Sequence, residues 1–105
     1  MMRYKEVTDY EINKTVAKYL KLNTIAYDRT EIVLFDDMDA TPFDPCNNPA
    51  DAMPIVIENG ISMVRVNNEW SARQFNSYCI EVNDSNYYRA AMEVFLMMKE
   101  AENEK

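Results

Sequence analysis

The sequence predicts a single α+β domain over residues 1–105, in which a short antiparallel meander of three or more strands packs against about three helices. Three observations predict it. Apolar residues recur at helical spacing near both ends of the chain. Between them lie β-branched and aromatic runs punctuated by Asn-Asn and Asn-Ser pairs. A chain of 105 residues has room for one core.

Thr8-Asp9-Tyr10-Glu11 reads as a capping box, so a helix starts there, with Ile12, Val16 and Leu20 on one face and an end near Leu22-Asn23. Ile25 to Phe35 is strand-like around an Asp28-Arg29-Thr30 break, consistent with one strand or a hairpin. Asp36 to Asn48, rich in Asp, Asn and Pro, reads as a long loop. Asn48 then caps a helix with Pro49 at its first position and Asp51 on the positive end of its dipole. Asn59-Gly60 supplies a left-handed stop, giving a helix over Pro49–Glu58. Ile61–Val66, Glu69–Phe75 and Tyr78–Val82 form the meander, joined at Asn67-Asn68 and Asn76-Ser77. The last helix runs from Ser85 or Asn86 to about Glu100 and sets Tyr88, Ala91, Met92, Phe95 and Met98 against the sheet.

Composition excludes several kinds of chemistry. With no histidine, neither a Ser-His-Asp or Cys-His catalytic set nor an HExxH zinc site can be built. One glycine, Gly60, cannot make a P-loop or a GxGxxG turn. The acidic loop of Asp36, Asp37, Asp39 and Asp44 lacks the EF-hand pattern, so no metal is expected. No pair of carboxylates stands out, so the chain is expected to be no enzyme and to need no cofactor. A net charge of −7 repels phosphate backbones and argues against general nucleic-acid binding. The longest apolar run near the C-terminus, Val94 to Met98, is far too short to span a membrane, and the N-terminus lacks a signal-peptide core. Cys46 and Cys79 are not at metal spacing and fit reduced thiols.

The run from Phe43 to Asn59, with its Cys46-Asn47-Asn48-Pro49-Ala50-Asp51-Ala52 segment, together with Ile61-Ser62-Met63, Trp70 and Arg89 to Met98, resembles the phage NinX-like family. Asp9 to Lys14 is similar to that family's opening helix, and parts of the pattern are similar to a broader group of phage α/β sandwich domains. The resemblance implies a small phage accessory protein working in the host bacterial cytoplasm. It implies no catalytic residue.

The residues themselves suggest one binding region. Cys46, Asn47 and Asn48 gather amides and N–H groups at a helix N-terminus, an arrangement suited to a carboxylate or phosphate, with Asp51 working against a phosphate there. The other reading is that Asn47 and Asn48 cap and turn the chain while Asp51 binds its own helix end. Cys46 in that position would have a lowered pKa. Arg89 sits in the first turn of the last helix against the dipole, where an anionic ligand, or a salt bridge to Glu93 or Asp84, would explain it. Arg65 and Arg73 are candidate helpers. Trp70, Tyr87 and Tyr88 offer ring faces for a base, or core. The leading expectation is therefore sequestration of a small anionic or nucleotide-like host molecule, such as a defence signal. The alternative is a host protein as partner, through inhibition of a nuclease or defence enzyme, or a place in a phage recombination or replication complex. A homo-oligomer is expected as well, because a domain of this size buries only about two-thirds of its unfolded surface.

Overall fold

The computed structural model describes residues 4–76 and 78–103, so Ser77 of the expected Asn76-Ser77 turn lies outside the described residues. After a 3-10 turn at Tyr4–Glu6 come α1 (Asp9–Tyr19), β1 (Thr24–Tyr27), β2 (Ile32–Phe35), α2 (Pro49–Glu58), β3 (Ser62–Val66), β4 (Glu69–Gln74), β5 (Ile80–Asp84) and α3 (Tyr87–Asn103). The fold is α+β with two antiparallel sheets, one of order β1-β2 and one of order β3-β4-β5. The centre of the molecule is α3. It packs on β4 and β5 on one side and on α1 and α2 on the other, while α1 also touches β2.

That placement corrects the expectation of a one-faced last helix. Every residue from Ala90 to Leu96 is buried, as is Met98, because helices cover the side turned away from the sheet. A helix buried all round must be apolar all round or pair its polar groups internally, and Glu93, 2% exposed, is the polar group that must be paired.

Helix ends follow local chemistry. The Thr8 hydroxyl accepts from the Glu11 N–H at 3.2 Å and starts α1. The helix stops at Tyr19, earlier than expected, because Lys21 takes a left-handed φ of 57° and closes a Schellman turn: the Lys21 N–H bonds Lys18 O and the Leu22 N–H bonds Ala17 O. At the end of α2, Gly60 makes the same closure with φ 63°, through the Gly60 N–H to Ile57 O and the Ile61 N–H to Val56 O. The buried Gln74 amide donates to Asn59 O at 2.8 Å and ties this turn to β4.

The hairpin reading of Ile25 to Phe35 holds, with register Thr24↔Phe35 to Tyr27↔Ile32. The following loop is irregular but closely attached to it. Pro42 bridges Leu34, Phe35 N–H bonds Thr41 O, and Phe43 N–H bonds Val33 O, so residues 41–43 lie along β2 as a third strand-like crossing. The third meander strand begins at Ile80 instead of Tyr78, since Cys79 has φ 55° and interrupts the extended run; it continues to Asp84, the partner of Trp70.

Candidate functional site

The backbone N–H groups of the junction ahead of α2 find their partners within the chain. Asp44 N–H donates to Asp51 Oδ2 at 2.9 Å, and Cys46 N–H to Asn13 Oδ1 at 3.1 Å. Asn47 and Asn48 both donate to Asp44 O. Ala50 N–H reaches the Asn48 side chain at 3.0 Å, and the Asp51 and Ala52 N–H groups reach Asn48 O. Pro45 and Pro49 have no N–H. The anion-binding groups expected here are thus satisfied within the chain, with Asp51 in the position an outside carboxylate would take.

Arg89 is held in the same way. Its Nη1 donates to Asp9 Oδ1 at 2.7 Å, its Nε to Glu93 Oε2 at 3.1 Å, and its Nη2 to the carbonyls of Tyr4 and Val7 at 2.7 Å each. Burial works against the charged guanidinium, but Asp9 and Glu93 outweigh it and raise its pKa. Asn47 Nδ2 donates to Asp9 Oδ2 at 3.2 Å and to Asp44, so Asn47, Asp9 and Arg89 form one chain of contacts. Cys46 is fully buried, and burial, with Asp9 second, pushes its thiol pKa up against the opposing pull of Arg89. The expectation of a lowered Cys46 pKa is therefore corrected: desolvation outweighs the helix end.

The aromatic candidates meet at the start of α3. Trp70 and Tyr87 contact edge-to-face at 4.9 Å between centroids, as do Tyr87 and Tyr88 at 5.0 Å. Arg65, the cross-strand neighbour of Trp70, lies over the Trp70 ring with its guanidinium carbon 5.2 Å from the centroid. Asn86 joins this row to the polar junction. Its Oδ1 accepts from the N–H groups of Tyr88 and Arg89, and its Nδ2 donates to Cys46 O at 2.9 Å. Of the eight residues expected at the site, Cys46, Asn47, Tyr88 and Arg89 meet at Asn86, and Tyr87 and Trp70 extend the aromatic row from Tyr88. Asn48 and Asp51 stand apart from Asn86, at the start of α2, where they accept from the N–H groups of Ala50 and Asp44.

Residues 3–99 match the family described as Bacteriophage P22, NinX. The chain belongs to that family. No curated protein and no solved structure matches it. Membership in the NinX family makes this a phage accessory protein, and the geometry gives the motif of resemblance a structural meaning. Its Asp44, Cys46, Asn47, Asn48 and Asp51 fasten the loop to α1, α2 and α3. Sequence reading missed the other members of this junction: Asp9, Asn13 and Asn86, with Asn13 Nδ2 on Asp44 Oδ1 at 2.7 Å. Polar residues separated by 31 to 80 positions leave no periodic signal. Among the described residues, no group of three or more His, Cys, Asp or Glu is placed to hold a metal, and no helix is long and apolar enough to cross a membrane.

One further surface escaped the sequence reading. Ile25, Leu34 and Pro42 stand in one cross-strand row, and Tyr27 pairs with Ile32 on the same face of the hairpin. This face is open to solvent, with Ile25, Tyr27 and Ile32 each more than 40% exposed. The opposite face, with Val33, Ala26 and Phe35, packs on the core. A signal was available: Ile32-Val33-Leu34-Phe35 is apolar without alternation, the pattern of a strand covered on both faces.

Proposed function

We propose that this phage accessory protein acts by binding a protein partner, of host or phage origin, and performs no catalysis. The observation that carries this reading is the hairpin whose two faces are both apolar while the folded chain covers only one. The polar groups best suited to an anionic ligand point the same way, because Arg89 and the N–H groups ahead of α2 already have partners inside the chain. Inhibition of a host nuclease or defence enzyme and a place in a phage recombination or replication complex both fit this class of action. Affinity purification of the tagged chain from infected host cells, with quantitative mass spectrometry, tests it: one protein enriched near stoichiometry is expected, and its absence overturns the reading.

A second reading keeps the small ring-bearing anion as ligand and moves its seat. Arg65 pairs with no carboxylate among the described residues and lies on the half-buried Trp70 ring, so a base could stack beside a positive charge. Trp70 is the single tryptophan, and its intrinsic fluorescence reports directly on that row. Saturable quenching by cyclic or linear nucleotides, lost in Arg65→Ala, would favour sequestration of a nucleotide-like host molecule.

A further inference from the structure

From the outer face of the hairpin we infer that the partner presents an apolar centre ringed by lysine or arginine. This inference rests on the protein-binding reading and specifies its surface. The five residues of the face, Ile25, Tyr27, Ile32, Leu34 and Pro42, carry no charge, and the Tyr27 hydroxyl is the one polar group among their side chains. Acidic groups flank both ends. The hairpin turn supplies Asp28 and Glu31, and the loop after β2 supplies Asp36, Asp37 and Asp39. Against these five carboxylates residues 28–39 hold one cation, Arg29, while Lys14 lies 3.6 Å from Asp28. In that loop Asp37 Oδ1 accepts from the N–H groups of Asp39 and Ala40 at 3.0 and 2.9 Å, and the turn so made leaves Met38 fully exposed between two aspartates.

The charge distribution selects the occupant. A second copy of the chain would bring the same acidic rim and a further −7 toward this one, so self-pairing on this face is opposed by like charge. A basic-rimmed surface gains attraction around its edge while its apolar centre covers the hairpin. In that arrangement the apolar contact supplies most of the burial, and the rim supplies approach rate, register and discrimination. Met38, unbranched and adaptable, would fill a shallow depression at the margin.

Site-specific photo-crosslinking in infected host cells tests this, with benzoylphenylalanine placed in the full chain at Tyr27, at Ile32, or at the control Ile57, which is 74% exposed on α2. The expected result is one heterologous adduct at Tyr27 and Ile32 and none at Ile57. The identified protein, purified and titrated, should then bind at least tenfold more weakly when salt rises from about 50 to 300 mM, and at least tenfold more weakly to Ile32→Asp. Circular dichroism of Ile32→Asp should show an intact fold, since the side chain is outside the core. An adduct of the chain with itself overturns the inference in favour of a second copy. An adduct at Ile57 alone, or binding indifferent to salt, overturns it while leaving the protein-binding reading in place. No adduct at any of the three positions, together with an empty affinity purification, overturns both.

Discussion

Arg89 is a residue whose local sequence explains only part of its role. Glu93 four positions on is a readable helical pair, whereas Asp9 and the carbonyls of Tyr4 and Val7, more than 80 residues away or nearly so, are not. With four acceptors on three of its nitrogens, the guanidinium joins the N-terminal segment to α3. Arg89→Ala should leave the buried Glu93 carboxylate without its main partner and cost about 3 kcal/mol or more, measured by denaturant unfolding. Arg89→Lys should recover little, because a point charge cannot serve the same fork of acceptors. Arg89→Met combined with Glu93→Met should be more stable than Arg89→Ala, since the buried Glu93 carboxylate is then no longer stranded, while Asp9, 39% exposed, keeps access to water. A nearby carboxylate gives a pH signature. Asp84 is desolvated, which raises its pKa, yet the Asn86 N–H at 2.8 Å and the Lys5 ammonium at 2.9 Å hold it below the usual carboxylate range. A folded pKa below the unfolded one adds stability that is fully present above about pH 4 and is lost as pH falls through the folded value. Stability measured from pH 6 down to 2 should therefore decline below about pH 4, and more shallowly in Asp84→Asn.

Helix boundaries were legible wherever the chemistry that sets them lies within a few residues. The α2 limits follow from Asn48, Pro49 and Gly60 in order, and the structure has them at Pro49–Glu58. The end of α1 was misplaced because a lysine occupies the left-handed position that usually belongs to glycine. β5 was displaced for a related reason, since the positive φ of Cys79 has no marker in its side chain. The two Schellman turns make a paired prediction. Lys21→Gly removes a Cβ from left-handed backbone and should stabilise by roughly 0.5–1 kcal/mol. Gly60→Ala adds one, with Gln74 Nε2 3.4 Å from the new Cβ, and should destabilise by about 1 kcal/mol or somewhat more. Opposite signs in thermal or denaturant unfolding are the expected outcome. Asn48→Ala, which removes the side-chain acceptor of the Ala50 N–H, should cost about 1 kcal/mol, and Asn48→Asp far less.

At the scale of the whole molecule, the sequence made the α+β class and the meander readable, while the layering around α3 was not. An amphipathic stripe identifies one buried face, and only the tertiary arrangement shows that the other face of α3 is covered too. The hairpin poses the opposite problem, because β2 reads as buried on both faces and the fold covers one. Size alone favours a homo-oligomer, but the net charge of −7 opposes pairing of this surface with its own copies at neutral pH, and on the protein-binding reading proposed above that opposition wins until pH falls. Protonating carboxylates on the way to the pI near 4.5 removes the repulsion while leaving the apolar face unchanged. Light scattering on the purified chain should therefore report a mass near 12.3 kDa at pH 7 and low salt, rising as pH approaches 4.5. The charge-neutral pair Tyr27→Ser and Ile32→Ser should abolish most of that rise, and Ile57→Ser, on α2, should not. A rise of equal size in all three proteins would mean that general loss of charge, and not the hairpin face, drives the association.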